Sequence, residues 1–306
     1  AKRLKAMGMP VILSGWFPPA WAIDGDPASY VRNGGVIAYR LDPQKKEKIF
    51  KSIADYMLYA KRYYGIEFSM FSFNESDLGI DVLHSPQEHA DFIKEFGAYM
   101  AKLNLPTRML LGDNSDATTF DFILPGLNDP AAHKYIGAVS FHSWRGCDDA
   151  TLEKWAAAAR QLNVPLLVGE GSTDAAAHGY AGIFNESTFA LYEINLYTRI
   201  CAICQPLSIL QWQLTSDYSP LWGDGIYGFQ GPLRPTQRFW NMKQLASTPA
   251  DALAIPVSSS KKKVNCAAFG NISRGEYALH MVNNGADCHA VISGIPAGVK
   301  ELKVYV

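Results

Sequence analysis

Apolar and polar positions along this chain follow two periods that take turns. The runs PVILSG (10–15), IEFSMFSF (66–73), TRMLLGD (107–113), GAVSFH (137–142), PLLVGE (165–170) and LSILQWQL (207–214) are short and nearly continuous in apolar residues. Runs of that kind predict strands buried on both faces. Between them the apolar residues recur at helical spacing. Ile49, Ile53, Tyr56, Ala60 and Tyr63 make one such stripe, entered at Asp42-Pro43 and stopped at Gly65. Ser85-Pro86-Gln87-Glu88 is a capping box that opens a helix running to Leu103. TLEKWAAAARQL and STFALYEINLYTRICAIC predict two more helices, and 120–123 and 131–135 lie in the gap before GAVSFH. Strand–helix alternation of this kind predicts a parallel sheet covered by helices. Six such strands fit an open doubly wound sheet as well as part of a barrel. No Gly-rich phosphate turn follows any of them, which argues against a nucleotide-binding version.

The texture changes near residue 248. SSSKKK (258–263) is a polar turn, and VNCAAF, EYALHMVNN, HAVISGI and ELKVYV alternate at period two. They predict antiparallel strands of a small β-domain. The expected domains are therefore 1–248, α/β, and 249–306, all β. The chain ends on the last of these runs.

Composition narrows the function classes. Apolar residues make up 48% and charged residues 19% of 306, a balance that folds. The net charge of −1 gives no reason to expect nucleic acid. No apolar run is long enough to span a bilayer. No leader peptide is visible, but the chain begins with Ala1, which leaves a removed leader open. Five cysteines include Cys201 and Cys204, a C-x-x-C inside a helical stretch where packing is the expected role, and Cys266 and Cys288, whose pairing stays open. The seven histidines show no metal-ligand spacing, and no G-x-S-x-G occurs, so neither a metal, a cofactor nor a serine hydrolase is expected.

Two carboxylates stand out. Glu75 follows the aromatic run FSMFSF, and Glu170 ends PLLVGE. A charge at the end of a buried strand is costly unless it is paired or used. In a parallel barrel the strand C-termini converge on the face that carries the active site. Two such carboxylates suit glycoside hydrolysis, one protonated as acid and the other ionised as nucleophile. The plain alternative is that each caps a helix or pairs with a nearby arginine. Seven Trp, fifteen Tyr and fifteen Phe, many at strand ends, also suit the stacking of sugar rings, or of the core.

The flanking residues resemble a known family. SGWFPPAWA (14–22) is similar to the Pro-Pro-x-Trp stretch after the third strand of glycoside hydrolase family 30. FSFNES resembles that family's fourth strand with its Asn-Glu. VGEG matches the seventh-strand Glu, ILQWQL resembles the eighth strand, and RPTQRFWNMKQLAS resembles the entry to the family's side β-domain. Gly15 and Ser76 stand where the family has proline.

The resemblance implies a (β/α)8 barrel followed by part of a small β-sandwich. The six strands would be strands three to eight, the first two barrel strands and part of the β-domain lying outside this sequence. It also implies roles. Glu75 would be the general acid/base, Asn74 would bond the sugar 2-hydroxyl, and Glu170 would be the nucleophile. His142 and Trp144, in FHSW, would orient the nucleophile and line the site, although His142 is also readable as a core histidine. Trp212 would stack under the sugar, and Trp16 and Trp21 would wall the pocket. Asp113 and Asn114 end their strand either to meet sugar hydroxyls or to cap the next loop. The implied activity is retaining β-glycoside hydrolysis of an oligo- or polysaccharide or a glycoside by a secreted or periplasmic protein. The sugar, the endo or exo mode and the oligomeric state are left open. The rival reading is a non-catalytic carbohydrate-binding relative, which would have no need of both carboxylates.

Overall fold

A computed structural model describes residues 2–214 and 217–305. The chain divides into two compact units, Ala1–Glu170 and Gly171–Val306.

The first unit opens with a short helix, α1 (Lys2–Ala6), and then alternates β1 (Ile12–Gly15), α2 (Lys46–Tyr64), β2 (Met70–Phe73), α3 (Pro86–Lys102) and β3 (Arg108–Asn114). Two single-turn helices, α4 (Leu124–Leu127) and α5 (Pro130–His133), precede β4 (Ile136–His142), α6 (Asp149–Leu162) and β5 (Leu166–Gly171). Strands β1 to β5 pair in sequence order, each parallel to the next. The expected start signals act as read. Ser85 and Glu88 form the reciprocal capping box of α3, and Gly65 closes α2 at φ 64°. Asp42 caps a 3-10 turn, Pro43–Lys45, that leads into α2 rather than capping the helix itself.

The strands are buried because both faces are covered. On one face Met70, Leu110, Ala138 and Leu167 form a layer with Ile12 packed against it. On the other, α2 and α3 bring Phe50 and Phe96 together (centroids 5.2 Å apart) and set Phe96 against Phe71 of β2 (5.5 Å). Gly15 has to be glycine here, since a Cβ would lie 2.9 Å from the Phe73 ring.

In the second unit, α7 (Ser187–Cys204) leads to β6 (Ser208–Gln211). The next residue, Trp212, donates its N–H to the carbonyl of Gly171, the last residue of β5 (2.9 Å). The sheet order thus runs β1-β2-β3-β4-β5-β6, the arrangement of a partial (β/α) barrel. A two-stranded ribbon, β7 (Leu221–Trp222) with β8 (Arg234–Pro235), and helix α8 (Gln237–Leu245) follow. Arg238 of α8 is fully buried and forks onto Glu193 of α7 (Nε–Oε2 2.9 Å, Nη2–Oε1 2.8 Å). Its Nη1 donates to the carbonyls of Tyr218 and Ser219.

The small β-domain is a three-stranded antiparallel sheet, β9 (Leu253–Ile255), β10 (Val264–Asn271) and β11 (Glu276–Asn283), with β10 in the middle. Two expectations need correction. HAVISGI and ELKVYV form no strand among their described residues, and Val306 lies outside the described residues. Alternation makes a strand only where a sheet edge accepts it, and Val291 and Val304 remain exposed (94% and 81%). The third strand is instead Leu253–Ile255, too short to stand out by periodicity. None of the five cysteines forms a disulfide, and Cys201 and Cys204 are buried in α7.

Candidate active site

The two singled-out carboxylates lie on the same end of the first unit's sheet. β2 ends at Phe73, and the chain turns at once. Asn74 donates its N–H to Gly15 O (2.9 Å) and Glu75 donates its own to Asp113 O (3.1 Å). Glu75 takes a left-handed backbone, φ 47°, unusual for a non-glycine residue and held here by Leu78 and Gly79 N–H groups on its carbonyl. Glu170 sits in β5 opposite His142 of β4, with Ser143 N–H on its carbonyl (3.0 Å).

His142 joins them. Its ring is fully buried. Nδ1 lies 3.1 Å from Glu75 Oε1 and 3.3 Å from Glu170 Oε2. One carboxylate oxygen of each glutamate and a ring nitrogen of His142 all lie within 4.8 Å of one another. Nε2, on the far side of the ring, lies 3.2 Å from Asp113 Oδ1. The Trp144 indole N–H donates to Glu170 Oε2 (3.1 Å). Among the described residues this is the group of His, Cys, Asp and Glu side chains that converges closely enough to hold a metal ion.

Asp113 reaches the histidine through a bulge. The β3–β4 register shifts between Gly112 and Asn114, and Asp113 itself has φ 66°. Gly112 has φ 101°, and a Cβ there would lie 2.2 Å from Ser140 O. Such an insertion re-aims one side chain. The redirected carboxylate accepts from Ser72 Oγ (2.6 Å) and Ser140 Oγ (3.3 Å). Gly169 leaves it room, since a Cβ on Gly169 would lie 2.3 Å from Asp113 Oδ1.

The electrostatics follow from this packing. Burial raises the Glu75 carboxyl above its usual range, and the hydrogen bond and charge of His142 offset only part of that. Burial alone would lower His142. The Glu170 charge and the contacts with Asp113, Glu170 and Glu75 outweigh it and hold the imidazole well above its ordinary value. Burial pushes Asp113 up, but His142, Ser72 and Ser140 bring it below normal. The imidazole is therefore inclined to hold its proton, and so is the Glu75 carboxyl beside it.

The other expected residues fall in several places. Asn74 is buried beside Glu75, and its side-chain Nδ2 has no hydrogen-bond partner within the protein. Asn114 caps the following loop, its Nδ2 donating to the Thr119 carbonyl and hydroxyl (2.9 Å each). Trp16 and Trp21 line an apolar cavity of about 230 Å³ with Leu13, Phe71, Ile53 and Tyr56, and Lys48 Nζ stands 4.4 Å from the Trp21 ring. Trp212 belongs to the second unit, directly after β6. Sequence reading missed Ser72, Ser140 and Gly169. The available signal was a small residue inside an otherwise apolar run, in FSF, VSF and VGE.

No family model matches the chain, and no curated protein matches it either. Solved structures do. A GH30 endoxylanase from Clostridium papyrosolvens C71 superposes with a TM-score of 0.72 at 16% identity, over 93% of this chain and 67% of that one. An endo-β1,6-glucanase gives 0.65 at 18%, over 90% and 64%. The catalytic domain of GH30 xylanase C from Talaromyces cellulolyticus gives 0.63 at 16%, over 89% and 63%. The chain spans about two thirds of the length of these structures, and at such identities the likeness establishes a shared fold. Among the described residues no helix is long and apolar enough to cross a membrane.

Proposed function

We propose that this chain carries the catalytic centre of a retaining β-glycoside hydrolase, with Glu75 as acid/base and Glu170 as nucleophile. The observation that carries the reading is the convergence of these two carboxylates, from the ends of different parallel strands, to within 4.8 Å of each other's oxygens. Retaining glycosidases hold their carboxyls roughly 5–5.5 Å apart, whereas inverting ones need about 6.5–9.5 Å to admit water. The folds of the three neighbouring structures named above, two xylanases and a glucanase, support the same reading.

The steps follow from the placement of the groups. Glu75, whose carboxyl burial inclines to hold its proton, gives that proton to the glycosidic oxygen as the bond to the anomeric carbon breaks. A Glu170 carboxylate oxygen attacks that carbon and forms a glycosyl ester. Glu75, now ionised, takes a proton from water, whose oxygen attacks the same carbon and releases Glu170. Trp144 and His142 hold the Glu170 oxygen in place. Asn74 offers its spare N–H to the sugar 2-hydroxyl. On this reading the substrate is an oligo- or polysaccharide or a glycoside met outside the cytoplasm.

The test is a pre-steady-state burst. An activated aryl glycoside should release its phenol in a burst, with the sugar mass found on the peptide containing Glu170. Sugar binding without release or adduct would mark a binding protein and reject the proposal.

A further inference from the structure

The described chemistry uses Glu75 as acid/base, Glu170 as nucleophile and His142 to hold them, but their geometry has a second consequence. Three carboxylates surround one buried imidazole, and Glu75, Glu170 and Asp113 are themselves largely buried. Negative charge packed this way requires a compensating cation. A proton on His142 is one such cation. The spacing also admits another.

In a tetrahedral zinc site with bonds of about 2.0–2.1 Å, neighbouring ligand atoms are about 3.3 Å apart. His142 Nδ1 already lies 3.1 Å from Glu75 Oε1 and 3.3 Å from Glu170 Oε2. Two ligand edges of such a tetrahedron thus exist, and the third, between the carboxylates, is at most 4.8 Å. The outer groups fit as well. A metal-bound histidine characteristically gives its other ring N–H to a carboxylate. Here Nε2 faces Asp113 Oδ1 at 3.2 Å, and Ser72 and Ser140 fix that carboxylate in turn.

We infer that Glu75, His142 and Glu170 form a site for one divalent ion of the zinc type, held by two carboxylate oxygens and one imidazole nitrogen with a fourth position open. Binding displaces the proton on His142 Nδ1 and the proton of the Glu75 carboxyl, both of which leave to water as the metal–nitrogen and metal–oxygen bonds form. Imidazole with carboxylate selects zinc or cobalt over magnesium, which prefers an all-oxygen octahedral shell. No linear motif shows this, because the ligands come one each from the ends of β2, β4 and β5. If the glycosidase reading holds, the ion blocks both catalytic carboxylates and inhibits. The binding itself does not depend on that reading.

The experiment is calorimetric titration of the full protein with zinc chloride, with magnesium as control. One equivalent of zinc should bind and magnesium should not. Glu170→Gln and Glu75→Gln, which keep side-chain size, should each weaken binding at least tenfold, and Asp113→Asn should weaken it by roughly 10–100-fold. Circular dichroism checks that each variant is folded. Cobalt should give the strong visible bands of a four- or five-coordinate ion in the parent and lose them in Glu170→Gln. Absence of a bound equivalent, or affinity unchanged in both folded glutamate variants, overturns the site. Zinc bound at the cluster by a protein that cleaves no glycoside keeps the metal site and rejects the glycosidase. Cleavage without cluster-dependent zinc binding does the reverse.

Discussion

Asp113 Oδ1 stands 3.2 Å from His142 Nε2, while the opposite ring nitrogen stands 3.1 Å from Glu75 Oε1. One imidazole therefore links a bulge at the end of β3 to the carboxylate after β2. With a carboxylate oxygen beside each ring nitrogen, the imidazole is held well above its ordinary pKa. Its position decides where the two glutamates stand.

Glu170→Ala should remove nearly all turnover of an aryl glycoside. Added azide should restore activity and give a product of inverted configuration, because it enters from the vacated face. Glu75→Ala should spare substrates with acidic leaving groups far more than poor ones, which need the proton. Equal losses across a leaving-group series would remove Glu75 from the acid/base role.

Gly169→Ala puts a methyl where Asp113 Oδ1 now sits, 2.3 Å from the new carbon. Displacing that carboxylate shifts His142 and, through it, the glutamates. Misplacements of about 1 Å cost on the order of a hundredfold in rate. The expected outcome is a kcat lower by at least about tenfold with the thermal midpoint little changed. A variant with parental kinetics would show that Asp113 does not position the site.

Acid should destabilise the fold through His84 and His89. Burial lowers His84 to about 4 and His89 to about 3, and His89 Nε2 accepts the Gly112 N–H at 3.0 Å, which a protonated ring cannot do. The unfolded chain takes up these protons near pH 6.5 and the folded chain does not. Their contribution to stability is thus complete above pH 6.5 and falls with pH down to about 4 and 3, by about 1.4 kcal/mol per pH unit for each group. Urea unfolding at pH 7.5, 6.5 and 5.5 measures it, and His84→Phe should reduce the slope. A flat profile over that range would contradict the burial of both rings.

The Glu193–Arg238 pair anchors α8 on α7, with both side chains out of water (2% and 0% exposed). Glu193→Ala strands a buried guanidinium and should cost roughly 3–5 kcal/mol. Replacing both residues by methionine should cost much less, since no charge is left unpaired. A double variant as unstable as the single one would mean that the loss comes from packing rather than charge.

The sequence by itself determined the alternating strands and helices of the parallel sheet and the end of that sheet where chemistry is sought. Short continuous apolar runs suit strands covered on both faces, and caps such as Ser85 with Glu88, or Gly65 at φ 64°, act locally, so a linear reading finds them. It also placed Glu75 and Glu170, because a carboxylate at the end of a buried strand stands out against its neighbours. The tertiary structure decided what surrounds them. That Asp113 turns toward His142 depends on a bulge at Gly112, on room left by Gly169 and on hydroxyls from β2 and β4. These are long-range contacts between residues far apart in sequence, and no periodicity records them. The fate of HAVISGI and ELKVYV was decided the same way. Alternation gives a segment the capacity to be a strand, but only an available sheet edge gives it hydrogen-bond partners, and in this fold that place beside β10 went to Leu253–Ile255.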